Sequence, residues 1–429
     1  MSERTLPFVV PLTTASKGWV SEYLSDLVSG ASIVGVGEMT HGCREHYVWR
    51  ERVLRQLVET EGFRTIVFEG HASNMGALDA FVRFGGGSVD EALAETGGWH
   101  VANAETADLA RWFRAFNEGL PEAERVHVYG CDFQSLDAHV ALVRSVVPAA
   151  EHPKSLAALP TDSEIFSSIE PLLAAIYDPD PDQDRIDSLL EEHGERMKSW
   201  RPRVDEVSRW IEAWLDPRRE DAEWAYPITH LGRLFEQTIE LYEFDGEMTQ
   251  RRDAHMAENL LAVRKERSPD RIAFVSANLH VSKAAIAFPG FGPYATTGSH
   301  LAGALGDGYR CLGAAFHHGE FLAITDKEPR SDDVASTFSP PPDSLEDHLE
   351  RYATEVGTSE LLCDFRSLEN EKPLPWGETP IMNIGEAGHP TTVEATFIRQ
   401  RPHEQFDALY FSRETTPITI LPEYYSVLG

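Results

Sequence analysis

The sequence lacks the features of a disulfide-stabilised or membrane-spanning protein. Its 429 residues include four cysteines, which stand far apart and form no CxxC pair. This spacing argues against a disulfide framework and a zinc ribbon, and it favours a reduced, cytoplasmic setting. No apolar run approaches the roughly 18 residues of a membrane span. The apolar run 6–12 near the N-terminus is also too short and poorly flanked for a secretion signal.

Positive charge is scarce as well. The chain has 38 basic and 70 acidic side chains, for a formal net charge of -32. Nucleic acid and anionic membranes bind through basic patches, so we expect neither as a partner. A small-molecule substrate is the partner that we expect. The length suits one large α/β domain with an insertion, or two to three ordinary domains.

Three short apolar runs predict buried strands that end in a carboxylate. They occupy residues 33–38, 64–69 and 126–132 and end in Glu38, Glu69 and Asp132. His41 follows Glu38 within one turn. The carboxyl ends of parallel strands meet at one edge of an α/β sheet, where ligands bind. We therefore expect these side chains to lie along the same edge.

Helical periodicity connects these strands. Residues 47–61 place Val53, Leu54, Leu57 and Val58 on one face, with Gly62 as the expected C-cap. The resulting strand-helix-strand unit should be parallel and right-handed. Further helices are predicted at 19–27 and 99–117. Further strands are predicted at 271–276, 309–316, 321–325, 393–398 and 406–411.

Strand signals vanish between Ala149 and Lys265. This stretch predicts a helical cap, which we place at residues 149–267, inserted into an α/β catalytic core formed by 1–148 and 268–429. Tryptophans could wall a pocket in the cap or simply pack helix against helix, which is the commoner use. They stand at positions 200, 210, 214 and 224. Residues 331–347, with three consecutive prolines, predict an ordered connection or a mobile loop.

The polar strand ends suggest water activation. Glu38 with His41, Glu69, and Asn278 with His280 follow three predicted strands. Carboxylates beside histidines can hold a water molecule and orient the imidazole that takes its proton. Histidine is the natural base because its ordinary pKa lies near 6.5. The structural alternative makes Glu38 a helix cap and His41 a hydrogen-bonded loop residue.

Several motifs together resemble the erythromycin esterase family. The motifs occur along this chain in the same order as in the family, and they cover about residues 30 to 415. The matching segments are Gly37-Glu38-Met39-Thr40-His41-Gly42 with Arg44-Glu45, Val67-Phe68-Glu69, Trp112 to Asn117, Tyr129-Gly130-Cys131-Asp132, Arg252-Asp253 with Met256 to Asn259, Asn278-Leu279-His280-Val281, Ser344-Leu345-Glu346, and Phe406 to Leu409.

The resemblance implies a three-layer α/β sandwich with a mainly parallel central sheet, a helical cap and a cleft. It also implies a reaction in which water opens a macrolide lactone without a covalent nucleophile, a cofactor or a required metal. His41 matches the general base of the family, and Glu38 and Glu69 match the acids beside it. Arg50 matches a functional arginine. His280 matches the second histidine of a His-Asn-x-His motif.

The chain departs from the family at the first histidine of that motif, where it has Ala277. The loss removes a polar group from the expected site and weakens a macrolide assignment. Glu45, His46 and His71 lie close in sequence to the site residues and are candidates to compensate. With Arg50 and Asn278, they complete the predicted substrate-binding set.

Four functions remain open. The first is water-mediated hydrolysis of an ester or lactone in a macrolide or another natural product. The second is non-hydrolytic biosynthetic chemistry, such as cyclisation, dehydration or acyl transfer. Metal dependence is third, but His41, Glu45 and His46 form H-x-x-x-E-H, one residue longer than a known zinc motif. Ligand sequestration is fourth. A serine nucleophile is not expected because Ser276 lacks a G-x-S-x-G elbow, and Cys43 is expected to be structural.

Overall fold

The structure of the chain is a computed structural model. It describes residues 8–13, 17–176, 180, 182–218, 226–243, 248–288, 292–323, 334–336, 340–366, 377–384 and 396–428. The chain divides into two compact units. The first consists of Met1–Glu69, Ala77–Val128 and Arg267–Gly429, and the second consists of Gly70–Gly76 and Tyr129–Glu266. The functional division into a catalytic core and a cap stays a prediction.

The regular elements alternate along the chain. The strands are β1 (Val9–Pro11), β2 (Ile33–Glu38), β3 (Thr65–His71), β4 (His127–Asp132), β5 (Ile272–Ala277), β6 (Ile286–Phe288), β7 (Gly292–Tyr294), β8 (Tyr309–Leu322), β9 (Val334–Ser336), β10 (Glu360–Asp364), β11 (Thr379–Met382), β12 (Phe397–Gln400) and β13 (Ala408–Thr415). The helices are α1 (Lys17–Leu27), α2 (Arg44–Glu59), α3 (Gly76–Phe84), α4 (Val89–Ala94), α5 (Ala104–Asn117), α6 (Leu136–Val146), α7 (Asp162–Ile176), α8 (Gln183–Leu215), α9 (Leu231–Tyr242), α10 (Met248–Glu266), α11 (Asn278–Val281), α12 (Thr297–Leu305), α13 (Leu345–Val356), α14 (Pro402–Gln405) and α15 (Pro422–Leu428).

The central sheet is large and mainly parallel. Its strand order is β1-β10-β13-β8-β2-β5-β3-β4, with β9 paired to β8. The strands from β13 through β8, β2 and β5 to β3 run parallel, while β1, β10 and β9 pair antiparallel. The central strands β2 and β5 are buried along their whole length, as parallel strands covered on both faces must be. This confirms the predicted α/β class, a three-layer sandwich type with a mainly parallel sheet.

The predicted parallel direction of the first two strands of the strand-helix-strand unit is confirmed. Strands β2 and β3 are parallel but not adjacent, because β5 lies between them. Glu38 at the end of β2 is in register with Ala277 on β5, and Phe68 on β3 is in register with Val275. A strand from more than 200 residues later therefore separates the two carboxylate-bearing strands while keeping their ends at one edge.

Helix α2 confirms the predicted amphipathic pattern. Val53, Leu54, Leu57 and Val58 are all buried, and the helix contacts β2, β8 and β13. The predicted cap is two residues off: Thr60 is the C-cap, and Gly62 follows in the turn with a φ of 73°. The positive φ explains the glycine, since other residues seldom adopt it.

Other predicted ends of strands and helices also differ from those in the structure. The two strands predicted at 309–316 and 321–325 are one continuous strand, β8, within the described residues. Helix α5 begins at Ala104 rather than Trp99, because the Asn103 side chain accepts a hydrogen bond from the Thr106 backbone N–H and caps it. Parts of the strands predicted at 321–325 and 393–398, and of the connection predicted at 331–347, lie outside the described residues. These parts are residues 324–325, 331–333, 337–339 and 393–395.

The second unit is mainly helical and has its own core. Trp200, Trp210 and Trp214 are partly buried and pack against that core, which includes Val204, Val207 and Ile211 of α8. This confirms the helix-packing interpretation for three of the four tryptophans, while Trp224 lies outside the described residues. In the described part of the chain, no helix combines the length and apolarity needed to cross a bilayer.

Candidate functional site

Glu38 and His41 form a buried hydrogen-bonded pair at the end of β2. His41 Nδ1 lies 2.7 Å from Glu38 Oε1, and the two residues are 2% and 3% exposed. An ionised carboxylate only accepts hydrogen bonds, so Nδ1 carries the hydrogen. The lone pair of neutral His41 is therefore on Nε2. This is the tautomer that a general base requires.

Arg50 holds the other oxygen of Glu38. Its Nη1 donates to Glu38 Oε2 at 3.1 Å, and its Nη2 donates to Thr106 Oγ1 at 3.0 Å. The guanidinium also stacks 3.8 Å from the ring centre of Tyr47. Arg50 is 3% exposed, so its terminal nitrogens are engaged in holding the site together.

Glu38 is held in its charged form. Burial, the largest single influence, raises the pKa of this carboxyl, but the hydrogen bond from His41 and the positive charge of Arg50 together lower the pKa below its ordinary value. A charged Glu38 orients the His41 ring through this hydrogen bond and would stabilise an imidazolium at this position.

Glu69 is the centre of a second carboxylate and histidine group. Its Oε2 accepts hydrogen bonds from the Ser276 hydroxyl and, at 3.3 Å, from the Ala277 backbone N–H. Its Oε1 lies 3.3 Å from His280 Nε2. His280 is on the short helix α11, which follows β5 directly. The structure thus brings the predicted residues Glu69 and His280 together.

Both groups sit in the first unit, around the end of β5. This strand lies between the strands that carry Glu38 and Glu69, and Ala277 pairs in register with Glu38 while donating to Glu69. The sequence expectation of a shared sheet edge therefore holds for these two carboxylates. The site arrangement follows from β5, whose backbone connects the two groups.

Trp99 and His100 belong to the site and were missed. The His100 ring stacks on the His41 ring with centroids 4.7 Å apart, and Trp99 meets His41 edge-on at 5.9 Å. Sequence periodicity assigned both residues to the helix that begins at Trp99. An Asn at position 103 was the available signal, since a capping asparagine would have started the helix later and left His100 in a loop.

The other predicted contacts have structural partners. Asn278 donates to the Ala314 carbonyl at 2.6 Å and accepts from the Ala314 N–H at 3.1 Å, which ties α11 to β8. Glu45 accepts from the backbone and hydroxyl of Thr416 at 2.7 and 2.8 Å. These bonds favour positioning roles, and their predicted roles in substrate binding stay predictions.

His46 lies in the core. It is fully buried, packs against the rings of Phe316 and Tyr410, and accepts a hydrogen bond from the Met39 N–H at Nδ1 over 3.3 Å. Burial lowers the pKa of His46 to about 4. It is therefore neutral at pH 7, and the geometry favours a packing role over the predicted contact with substrate.

His71 and Asp132 belong to the second unit. His71 is the partly buried last residue of β3. Asp132 is buried, accepts from Arg252 Nη2 at 2.7 Å and accepts from Gln134 Nε2 at 2.8 Å. Asp132 thus has an arginine partner of its own within that unit, and the predicted role of His71 stays a prediction.

Two alternative nucleophiles lack activation. Ser276 uses its hydroxyl hydrogen on the Glu69 carboxylate rather than on an imidazole base. Cys43 is fully buried, accepts from the Thr415 hydroxyl at 2.6 Å, and has a thiol pKa raised by burial. A raised pKa opposes formation of the reactive thiolate. Both residues therefore fit structural roles.

Gly42 shapes the turn that presents His41. A Cβ at this position would lie 1.8 Å from the Leu322 carbonyl oxygen. The close approach allows Leu322 N–H to donate to Gly42 O at 3.2 Å. Only glycine fits here, because the obstacle is backbone and cannot rotate away.

In the part of the chain that the structure describes, no group of three or more His, Cys, Asp or Glu side chains is placed to hold a metal ion. The three side chains of the H-x-x-x-E-H segment have separate partners and do not converge on one point. His41 bonds to Glu38, Glu45 bonds to Thr416, and His46 packs in the core. Metal independence stays a prediction.

Three solved structures share this fold. A Bacillus cereus protein matches with a TM-score of 0.70 and 21% identity over 96% of this chain and 97% of that one. A succinoglycan biosynthesis protein matches with a TM-score of 0.69 and 18% identity over 96% of each chain. An erythromycin esterase mutant in its open conformation matches with a TM-score of 0.59 and 18% identity over 92% of this chain and 93% of that one. At these identities the likeness concerns the fold alone.

The sequence profile of the erythromycin esterase family matches residues 58–415. This range includes Glu69 and His280, and it begins after Glu38, His41 and Arg50. The match spans most of the sequence. The chain therefore belongs to the erythromycin esterase family of ester-bond hydrolases.

Proposed function

We propose that this protein catalyses water-mediated hydrolysis of an ester or lactone, with His41 as the general base. The observation that carries the proposal is the 2.7 Å hydrogen bond between Glu38 Oε1 and His41 Nδ1. This bond leaves the basic lone pair on Nε2, held in one orientation by a buried carboxylate. Such assistance typically contributes a rate factor of about 10²–10⁴.

The reaction requires no covalent intermediate. Water attacks the carbonyl carbon as its proton passes to His41 Nε2. The tetrahedral intermediate then collapses, the bond from the carbonyl carbon to the alkoxy oxygen breaks, and the proton moves from His41 to the leaving alcohol. Glu38 stays charged throughout and stabilises the imidazolium that exists between the two transfers.

His280 is the proposed partner of the developing oxyanion. Its Nε2 lies 3.3 Å from Glu69 Oε1, so the Nε2 hydrogen faces this carboxylate, and a protonated ring would donate to the oxyanion through Nδ1. Arg50 is less suited to this role because its terminal nitrogens bind Glu38 and Thr106. We assign Arg50 a positioning role through Glu38.

The proposed substrate is a macrolide or another natural product with an ester or lactone. Family membership supports a small-molecule substrate, and one structural neighbour is an erythromycin esterase. A role in antibiotic resistance would follow if the substrate is a macrolide. We also propose a cytoplasmic location. We propose no metal requirement, so turnover should survive incubation with excess EDTA.

The test compares His41→Ala with the wild type on erythromycin and on 4-nitrophenyl acetate. Wild-type protein should release the ring-opened product, which mass spectrometry detects as substrate plus one water. His41→Ala should lose this activity while its far-UV circular dichroism and melting temperature stay close to those of the wild type. His152→Ala is the matched control, since this imidazole is also hydrogen-bonded, here to the Val147 carbonyl, and also contacts a tryptophan. Near-wild-type turnover by His41→Ala would refute the assignment.

A second candidate is non-hydrolytic biosynthetic chemistry at the same residues. Position 277 favours it, because the methyl side chain of Ala277 offers no polar group and only its backbone N–H contacts Glu69. A neighbour in the fold comparison is a succinoglycan biosynthesis protein. A panel of macrolides separates the two candidates. Ring-opened products support hydrolysis. The absence of ring-opened product from every macrolide, in protein whose His41 signal still titrates normally, supports non-hydrolytic chemistry.

A further inference from the structure

The loop before α5 brings a third histidine to the site. Asn103 caps α5 through a 2.8 Å hydrogen bond from the Thr106 N–H, so the chain ahead of it is released from helical geometry. His100 stands in this loop, half-buried, while His41 beneath it is 2% exposed. Its ring stacks on that of His41 at 4.7 Å with an interplanar angle of 26°.

His100 is anchored at several points. Its ring Nε2 hydrogen-bonds the backbone carbonyl of Glu69. Its own backbone carbonyl accepts from the Tyr47 hydroxyl at 2.8 Å and from Asn103 Nδ2 at 2.9 Å. A carbonyl only accepts, so Nε2 carries the hydrogen. His100 therefore links both halves of the site, through stacking to His41 and through hydrogen bonding to Glu69.

A glycine makes room for this ring. A Cβ at position 98 would lie 2.6 Å from His100 Cε1 and 3.0 Å from its Nδ1. The nearest atoms belong to the imidazole itself, so a methyl group at position 98 would push the ring out of its place. Gly98 thus offers a way to displace the His100 ring without removing it.

The segment 416–421 holds the two histidine loops in register. Ile418 N–H donates to Gly42 O at 3.0 Å, next to His41, and Ala104 N–H donates to Thr419 O at 2.8 Å, next to the His100 loop. These bonds connect both loops to one short stretch of backbone. The stack of His41 and His100 is therefore part of a fixed arrangement in which both loops are tied down.

The electrostatic surroundings decide what the stack does. The titratable and charged groups near the two rings include Glu38, which binds His41, Arg50, which binds Glu38, and Tyr47, whose hydroxyl binds the His100 carbonyl. Glu38 favours a protonated His41, which would be useless as a base at neutral pH. The His100 ring covers one face of His41 and excludes water from it. A positive charge on His100 would also repel a positive charge on His41. Both effects favour neutral His41.

We propose that His100 is a positioning residue that fixes the ring plane of His41 and keeps it in the neutral, proton-accepting form. The proposal rests on the proposed function, since it assigns His41 the role of base. Removing the His100 ring should expose His41 to water and to the unopposed pull of Glu38. The pKa of His41 should then rise.

The test is a titration of His41 by NMR, using the full chain with 13Cε1-labelled histidine. His41→Gln identifies the signal. In His100→Ala the His41 pKa should be higher than in the wild type. His100→Phe keeps an aromatic face and should lie closer to the wild type, and Gly98→Ala should shift in the same direction as His100→Ala. In ester hydrolysis, the acid limb of kcat/KM should move to higher pH by the same amount, with KM little changed.

The control is His152→Ala, which should leave the titration of His41 unchanged. An unchanged or lowered His41 pKa in both His100→Ala and Gly98→Ala would overturn the proposal, because a purely structural residue would change only the melting temperature. The titration needs no turnover. If the wild-type protein hydrolyses no ester, the proposed function fails while the effect of His100 on His41 is still measured.

Discussion

Arg50 and Glu38 form an ion pair that is almost completely buried. Arg50 Nη1 lies 3.1 Å from Glu38 Oε2, and each side chain is 4% exposed. The other oxygen of the same carboxylate binds His41. Arg50 therefore acts on the proposed base through Glu38, by keeping this carboxylate charged and in place.

Replacing Arg50 by methionine should be strongly destabilising. It leaves the Glu38 charge buried without its partner, a change that typically costs about 3–5 kcal/mol. We expect a lower free energy of unfolding in urea and a loss of activity. In the double variant Arg50→Met/Glu38→Gln, the uncompensated charge is gone and part of the stability should return.

Arg52→Met is the matched control on the same helix. Its pair with Glu360 is 3.4 Å long, and the Arg52 side chain is 55% exposed. An exposed pair of this kind contributes at most about 1 kcal/mol. Equal losses in Arg50→Met and Arg52→Met would contradict the importance that we give to burial.

Gly42→Ala should disturb the His41 turn. The added Cβ would lie 1.8 Å from the Leu322 carbonyl oxygen, so the backbone must move. We expect kcat/KM to fall by at least about tenfold, since small displacements of a catalytic group are costly. Gly303→Ala is the control, because a Cβ there meets nothing within 4 Å. Wild-type kinetics in Gly42→Ala would show that the turn tolerates the shift.

Ser276→Ala separates a water mechanism from a serine nucleophile. Ser276 donates to Glu69, which retains the Ala277 N–H and His280 as partners. Losing one buried hydrogen bond costs about 1 kcal/mol, so we expect less than about a tenfold loss in kcat. Ser208→Ala, which removes a buried hydroxyl bound to Glu236 at 2.7 Å, controls for stability. A loss as large as that of His41→Ala would favour the nucleophile.

Glu346→Gln should stabilise the protein at alkaline pH. Burial raises the pKa of Glu346 from 4.5 to about 7, against the weaker opposing hydrogen bond from the Met382 N–H. The unfolded chain ionises first as pH rises, so the folded state loses stability between these two pKa values. The difference corresponds to about 3 kcal/mol above pH 7.

Urea unfolding at several pH values measures this effect. The stability of Glu346→Gln relative to the wild type should rise from about pH 5 to about pH 8. Glu355→Gln, at an exposed position on the same helix, should show no such trend. A pH-independent difference between Glu346→Gln and the wild type would mean that Glu346 does not titrate in this range.

Local patterns predicted the elements that carry the site. The run 33–38 is apolar and ends in a carboxylate, and it forms β2 with Glu38 as its last residue. The helical face of Val53, Leu54, Leu57 and Val58 is buried in α2. These predictions hold because strand burial and helix amphipathicity are recorded within a few consecutive residues.

Long-range contacts were beyond these patterns. The strand-helix-strand pattern predicted that β2 and β3 run parallel, but it did not predict that β5, about 200 residues later in the chain, lies between them. His100 was placed on a helix, although it stacks on His41 from a loop. The contacts of Arg50 with Glu38 and Thr106 were not predicted, and its predicted role in substrate binding stays a prediction.

The sequence by itself therefore determined the α/β class, the carboxylates at the strand ends and the histidines that follow them. Only the tertiary structure decided which carboxylate holds which histidine, and that His100 and Arg50 surround the proposed base. The physical reason is that strand order and loop contacts depend on residues more than 50 positions apart, such as His41 with His100 and Glu69 with Ser276. No period of 2 or 3.6 residues contains that information.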